Sequence, residues 1–419
     1  MAVMKKRVIL HCDCNSFFAS VETALNPAYK GVPMAVCGSR EDRHGIVLAK
    51  NEEAKKYGIV TAETIRSAQK KCPNLVIAEP HHDKYVEFSR RVGEIYSEYT
   101  DLIEPFGIDE SWLDVTASYK LFGSGEEIAE KIRRRIKEEI GITVSIGVSF
   151  NKTFAKLGSD YKKPDAVTVI NKENFRSIVY PLPVSDLLYV GKKTADQLFR
   201  LGIRTIGDLA ATSEQLLEYN FGKNGILLHK CATGKEDSPV EPPNDEVKSI
   251  GRGYTFRRNL LNFDECYVGI LYLSEQIGAQ LRAKGLVCTT VSLKIKDENL
   301  ITVQRQKPLV SATDLGKEIA TCAFEILQDQ WRSQKPIRML TVTAIGLLKK
   351  ENSSEQISFF DNGKNANVKE EKLEKTIDNI RQKFGNNVIV AGSIMDRELG
   401  MYRKKEDLST NEADENKEK

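Results

Sequence analysis

HCDCNSFFASVE, residues 11–22, crowds four metal-ligand side chains, His11, Cys12, Asp13 and Cys14, against two aromatics, Phe17 and Phe18. The preceding RVIL is a buried-strand sequence, and SFFASVETAL is a helix sequence, so the stretch reads as a strand turning into a helix. Three readings compete: a zinc site, a redox thiol pair, or a strand end that offers a carboxylate. Alternation along the strand puts Cys12 and Cys14 on the face opposite Asp13, so they need not share a ligand centre. The eight cysteines are otherwise scattered, with no C-x-x-C pair, and the only neighbouring histidines are His81 and His82. A structural zinc site is poorly supported, and His11 and Cys12 are read as structural residues.

The chain has 419 residues, which suits about two to four domains. Hydrophobic residues make up 41% and charged residues 29%, ordinary proportions for a globular protein. No apolar run reaches the ~18 residues of a membrane helix, and the N-terminus lacks the pattern of a secretory signal. The expectation is a cytoplasmic protein with reduced, buried thiols. Net charge is +3, too small to decide a partner, but its distribution is uneven. Residues 249–350 hold 15 Lys+Arg against 9 Asp+Glu, a balance of +6; residues 351–419 hold 12 against 15, a balance of −3. A polyanion-binding domain followed by an appendage fits this, and so does a solvated lysine-rich surface.

Strand and helix signals alternate through the first 170 residues. EEIAEKIRRRIKEEI (126–140) is a helix with Ile128, Ile132, Ile136 and Ile140 at four-residue spacing. TVSIGVS and VTVI are strands, and NKTFAKLGSDY is a helix capped by Asn151. These units predict an α+β sheet with helices on one face. Residues 19–76 look more helical, an insertion into that sheet. SPVEPPNDEVKS (238–249) has the composition of a linker. Beyond it, two long strand sequences and two helical runs predict a second α+β domain.

FGIDESWLDVT (106–116) reads as two short strands around an acidic turn. Adjacent carboxylates, Asp109 and Glu110, repel and are costly to bury unless a cation lies between them. Alone the turn reads more readily as an acidic surface loop. Asp13 alters that, because an isolated acid ending a buried strand is odd. If the strands are sheet neighbours, Asp13, Asp109 and Glu110 converge, and hard carboxylate oxygens suit Mg²⁺ shared with substrate phosphates.

Together with these, NEEAKKYG (51–58), SIGVSFNKTFAKLGSDYKKPDAVTVI (145–170) and VGKKTADQLFRLGIRTIGDL (190–209) resemble the Y-family, or translesion, DNA polymerases, most closely the bacterial DNA polymerase IV/UmuC-like group. The motifs run in order from residue 7 to about residue 350. The resemblance implies a multidomain α+β right hand: a ferredoxin-like palm (1–18 and 77–170), small fingers (19–76), a helix-hairpin-helix thumb (171–237), a linker (238–248) and an α+β little finger (249–350), then an extension (351–419). It implies a low-fidelity DNA-directed polymerase that transfers nucleotides from dNTPs to a primer 3′-hydroxyl with two Mg²⁺ ions. Asp13, Asp109, Glu110 and the Cys14 backbone carbonyl would hold the metal. Phe18 matches the steric gate that excludes a 2′-hydroxyl, with Phe17 beside it, and Lys55 and Lys163 match the triphosphate contacts. Glu52 and Lys55 stand where the family often has Tyr and Arg, which puts the fingers' triphosphate contacts in doubt.

Gly191, Lys192 and Lys193 would hold a DNA phosphate at the hairpin, Gly191 permitting a tight turn. A plain helical hairpin is the bland alternative. In SIGRGYTFRRNL (249–260), Arg252, Arg257 and Arg258 are candidate phosphate contacts. QISFF, Gln356, Ile357, Ser358, Phe359 and Phe360, resembles the motif that docks bacterial polymerases on the sliding clamp. Beyond it, Leu373, Ile377, Ile380 and Phe384 mark one helical face, for the body or for a partner. The expected partners are primer-template DNA, dNTPs and the clamp, for a monomer free of membrane. Two other readings stay open: a clamp-tethered DNA binder without synthesis, and another two-metal enzyme such as a cyclase or nuclease.

Overall fold

RVILHCDC becomes β1 (Ile9–Cys14), every residue of it buried, and the helix sequence becomes α1 (Phe17–Leu25). They meet at Ser16, whose φ of 48° makes the turn sharp. The computed structural model describes residues 7–39, 45–243, 246–331, 335–352, 364–385, 388–395 and 399–401. Two units partition the chain, residues 1–38 with 46–244, and residues 39–45 with 245–419.

After α1 the first unit continues through β2 (Met34–Cys37), β3 (Val47–Lys50), α2 (Glu52–Lys56), α3 (Ile65–Lys71) and β4 (Val76–Ala78). This stretch was expected to be mainly helical. It instead builds a three-stranded sheet, β3-β2-β4, because MAVC, VLAK and VIA are apolar runs too short for periodicity to separate strand from helix. Asn51 ties it together: its side chain caps α2 at Ala54 N and accepts from Met34 N.

The chain then runs through α4 (His82–Ser97), β5 (Ile103–Pro105), β6 (Glu110–Asp114), α5 (Tyr119–Phe122), α6 (Gly125–Arg135), β7 (Val144–Ser149), α7 (Lys152–Tyr161) and β8 (Val167–Ile170). With β1 these strands form a sheet of order β5-β6-β1-β7-β8. β1 is antiparallel to both neighbours, and Asp13 lies directly opposite Glu110. Ile128, Ile132 and Ile136 are fully buried against Leu10, Cys12, Tyr85 and Val92. Each such side chain contributes about 1.5–3 kcal/mol relative to exposure.

Helices were expected on one face of this sheet, but they cover both. α4 and α6 pack on the face of Leu10 and Cys12, while α7 packs on the face of Ile9, His11 and Asp13. Gly147 makes the second layer possible, since a Cβ there would fall 1.9 Å from the Ala155 carbonyl oxygen. Asn151 caps α7 as expected, accepting from Phe154 N at 2.8 Å.

The unit ends in five short helices, α8 (Phe175–Val179), α9 (Lys192–Arg200), α10 (Ile206–Ala211), α11 (Glu214–Phe221) and α12 (Lys223–Thr233), around a core that includes Leu198, Ile206, Leu209 and Leu228. The start of the expected linker is pinned to the same unit. Val240 is buried against Ile9, Trp112 and Ala155, and Glu241 N donates to Glu104 Oε2 at 2.9 Å.

The second unit is built from β9 (Ser249–Leu260), α13 (Phe263–Ala283), β10 (Leu286–Asp297), β11 (Thr302–Thr313), α14 (Gly316–Gln330), β12 (Ile337–Lys349) and α15 (Lys364–Phe384). Its antiparallel sheet has the order β11-β10-β12-β9, with α13 and α14 packed on one face. α15 docks on the body of its own unit, and does so through charge. Arg282 binds Asp378 at 2.6 Å and also Glu374, whose carboxylate accepts from Gly316 N at the start of α14. Leu373 and Phe384, on its expected apolar face, stay 59% and 72% exposed. Leu399 and Met401 nonetheless enter the unit's core. No helix among the described residues is long and apolar enough to cross a membrane.

Candidate active site

Cys12 and Cys14 point into the core with Tyr96, and burial pushes both thiols well above their usual range. All eight cysteines are free and buried. Neither a soft-metal site nor a reactive thiol pair fits such groups.

The opposite face of β1 carries the chemistry. Cys14 N donates to the Asp109 carbonyl at 3.0 Å, which fixes the acidic turn against the end of β1. Asp13, Asp109 and Glu110 therefore stand at one end of the sheet, where directly opposed like charges destabilise unless a cation intervenes. α7 supplies one. Lys156 Nζ lies 2.6 Å from Glu110 Oε2 and 3.1 Å from Asp13 Oδ2. Lys163 Nζ lies 2.7 Å from Asp13 Oδ2 and 2.8 Å from Asp160 Oδ1.

Burial pushes Asp109 up to about 6, and the charges of Asp13 and Glu110 add to that. Burial acts the same way on Glu110, but its contacts with His11 and Lys156 outweigh it and hold that carboxyl at about 2. Burial works against the ammonium of Lys156, and its carboxylate partners still raise it. Among the described residues no three acidic, His or Cys side chains close around one point as they stand. Lys156 holds two of these carboxylates around its own ammonium. A hard divalent cation fits this donor set, all of it carboxylate and carbonyl oxygen, with Asp109 still carrying uncompensated repulsion.

A cleft of about 340 Å³ is lined by Asp13, Cys14, Asp109 and Glu110 on one side and by Phe18, Lys55 and Lys163 elsewhere. Phe17 also borders it, although its side chain is only 3% exposed and belongs to the core. Phe18 stacks on Tyr85 at 4.1 Å between ring centroids and 11° between planes. Lys55 Nζ sits 2.5 Å from Glu52 Oε1, which also accepts from Ser16 Oγ at 3.1 Å. Glu52 thus takes up much of the charge that Lys55 could offer an anion.

The model of the impB/mucB/samB family matches residues 12–160, and the model of that family's C-terminal domain matches residues 247–359. DNA polymerase IV of Acetivibrio thermocellus is 46% identical over 403 residues, covering 95% of this chain and all of that one. DNA polymerase IV of Moorella thermoacetica is 38% identical over 91% of this chain and 94% of its own. The chain belongs to the Y family of DNA polymerases. A solved chimeric Y-family DNA polymerase matches its fold with a TM-score of 0.73 at 27% identity, over 81% of this chain and 99% of that one. This Y-family chain is accordingly a DNA-directed DNA polymerase of the translesion class, a metal-dependent nucleotidyltransferase whose substrates are DNA and dNTPs.

The expected DNA contacts fall in both units of this polymerase. Lys192 and Lys193 are exposed at the start of α9, but Gly191 has φ −76° and open space where a Cβ would stand. Its expected part in a tight turn is therefore not needed; Tyr189, at φ 71°, makes that bend. In the second unit Arg252 shares its face of β9 with Ile250 and Phe256 and donates to Gln280 of α13 at 3.1 Å. Arg258 pairs with Glu265, and the stem of Arg257 lies against Gly400. The clamp-like residues 356–360 lie outside the described residues.

Lys156 and Asp160 were not singled out from sequence, and His11 was read only as structural. Their signal was present. His11 is two residues before Asp13 and so shares its face. Lys152, Lys156, Ser159 and Lys163 recur at helical spacing behind the Asn151 cap.

Proposed function

We propose that this chain is a low-fidelity translesion polymerase in which Asp13, Asp109, Glu110 and the Cys14 carbonyl hold two Mg²⁺ ions. The observation that carries the reading is the cross-strand pair Asp13–Glu110 beside Asp109, facing a cleft that also holds Phe18 and Lys163. Such ions, when bound, lower the pKa of a primer hydroxyl and neutralise the leaving pyrophosphate. The chain does the rest. The carboxylates orient the reacting groups, Lys163 and Lys55 meet the triphosphate, and the Phe18 ring blocks a ribose 2′-hydroxyl, with Phe17 supporting it from the core.

In this reading residues 1–18 and 77–170 are the palm, 19–76 the fingers, 171–237 the thumb and 249–350 the little finger, although α1 runs unbroken across the first boundary. Gly191, Lys192 and Lys193 hold duplex phosphates, aided by Arg252, Arg257 and Arg258. The protein works as a monomer. The defining experiment is extension of a labelled primer on a lesion-bearing template by wild type, Asp109→Ala and Glu110→Ala. Extension by wild type alone supports the reading; equal extension by all three ends it.

Recruitment by the sliding clamp through residues 356–360 is part of the proposal, supported by the QISFF sequence. A Gln and apolar anchors suit a preformed hydrophobic pocket. Deleting 356–360 should abolish co-purification with the clamp and shorten products made in its presence, while extension without clamp stays within about twofold, as expected when only a tether is lost. Retained clamp capture by the deletion would remove the motif from this role.

A further inference from the structure

The imidazole of His11 has no part in the reaction outlined above, yet it is wholly buried behind one of its carboxylates. Its ring stands edge-on to Trp112, 5.0 Å between centroids. Nδ1 lies 2.8 Å from Ser159 Oγ, and Nε2 lies 3.2 Å from Glu110 Oε2. That second contact is not aligned as a full hydrogen bond, and Nε2 has no other partner among the described residues. Contacts of this kind at reacting sites are often loose until the site is engaged.

Proton accounting selects one arrangement. The Glu110 carboxylate only accepts hydrogen bonds, so the ring nitrogen facing its Oε2 is the one that carries a proton. A proton on Nδ1 would leave the Nε2 lone pair facing a carboxylate inside the protein. A proton on Nε2 donates to Glu110, and Nδ1 then accepts from the Ser159 hydroxyl. Ser159 also lies 2.7 Å from the Lys156 carbonyl, but that oxygen is within a helix, and the hydroxyl is free to turn. Lys156 and His11 both take Oε2 of Glu110, which leaves Oε1 without a hydrogen-bond partner among the described residues.

We propose that His11 is a positioning residue: anchored by Ser159 and Trp112, it donates from Nε2 to Glu110 Oε2 and so presents Oε1 to the metal. This rests on the carboxylate reading of the site. Outer partners that orient a metal-binding group typically affect metal affinity or activity by about 10–100-fold. A histidine that merely fills space behind a strand carries no such effect.

Gln and Asn separate the two cases, because a Gln amide nitrogen can occupy the place of Nε2, and an Asn amide reaches only the place of Nδ1. In the full-length protein, Mn²⁺ binding is measured by electron paramagnetic resonance without DNA or nucleotide, alongside single-nucleotide insertion kinetics and thermal unfolding. His11→Asn should weaken Mn²⁺ binding and lower kcat, each by about tenfold, with a much smaller change in the dNTP KM. His11→Gln should restore both to within about threefold of wild type. Ser159→Ala, which frees the ring without touching the strand, should shift Mn²⁺ binding in the same direction by a smaller factor, and decides the matter if His11→Asn does not fold. Equal impairment of the Gln and Asn variants, or wild-type Mn²⁺ binding in Ser159→Ala and His11→Asn, overturns the proposal. Glu110→Ala is the control. If it keeps Mn²⁺ binding and extension, the carboxylate reading itself fails; if it loses both while His11→Asn loses neither, only the positioning role fails.

Discussion

Asp109→Asn should abolish synthesis and stabilise the fold. Charge stabilisation by a bound metal is worth several kcal/mol in a transition state, and each ~1.4 kcal/mol is tenfold in rate. Loss of a ligand should therefore cost at least about 10³-fold in extension. The stability effect has the opposite sign. Asp109 sits at about 6 rather than 3.8, first through burial and then through Asp13 and Glu110. A carboxyl raised on folding binds its proton more tightly in the native state, so stability falls as pH rises between those values. Above pH 6 the whole penalty is present, and Asn removes it. Thermal unfolding without divalent ions should show Asp109→Asn more stable than wild type at pH 8, with the difference gone near pH 4. Added Mg²⁺ should raise the Tm of wild type more than that of the variant. A variant that extends primers normally, or that gains its stability at pH 4 rather than pH 8, contradicts the assignment.

The parts of the fold and site that were legible are those fixed by local pattern. β1, α1 and α7 follow from alternation, a cap residue and four-residue spacing, and are where those signals put them, whereas of the two short strands expected within residues 106–116 only β6 lies there, β5 ending at Pro105. The three-stranded sheet between residues 34 and 78 was missed because four-residue apolar runs carry no period, and its pairing is set by tertiary contacts such as those of Asn51. The second helical layer was missed for a similar reason. Gly147 on β7 permits α7 to lie against the sheet, and a single glycine in a strand does not announce which helix will approach. The metal-type residues at 11–14 were divided correctly by parity into thiols facing the core and a carboxylate facing the cleft. Parity also put His11 beside Asp13, but without the Asp13–Glu110 register nothing connected it to Glu110.

Lys156 shows where sequence reasoning stops in principle. Helical spacing places it on the face of Lys152 and Lys163, and the three have different fates. Lys152 is held by Glu104 at 2.6 Å, away from the cleft; Lys156 lies between two carboxylates; Lys163 borders the cleft itself. Lys163 lies beyond the end of α7, and which lysine faces which carboxylate depends on where the helix stops and how far each side chain reaches, which no spacing rule encodes.

Phe18→Ala should lose discrimination against ribonucleotides by roughly 10–100-fold, since overfilling a packed site costs about 1–3 kcal/mol and each ~1.4 kcal/mol is tenfold. The ring can exclude a hydroxyl only if it cannot yield, and its surroundings prevent that. Tyr85 stacks flat against it, itself wholly buried, and the Tyr85 hydroxyl donates to Glu22 Oε1 at 2.5 Å. His82 stands edge-on to it at 5.9 Å. Glu22 is in turn held by the His81 backbone N–H and ring. Phe18 is thus a member of a packed column, not a lone side chain on a loop. Two comparisons follow. Tyr85→Phe keeps the stack and drops only the hydroxyl, so discrimination should change far less than in Phe18→Ala, even though a hydrogen bond to a carboxylate is worth ~1.5–3 kcal/mol to the fold. Phe18→Leu should fall between wild type and Phe18→Ala, because it leaves part of the volume filled. The measurement is the ratio of kcat/KM for dCTP and CTP opposite a template dG. An unchanged ratio in Phe18→Ala removes Phe18 from this role, and a collapse in Tyr85→Phe as large as that in Phe18→Ala means the hydroxyl network, not the ring, carries the selection.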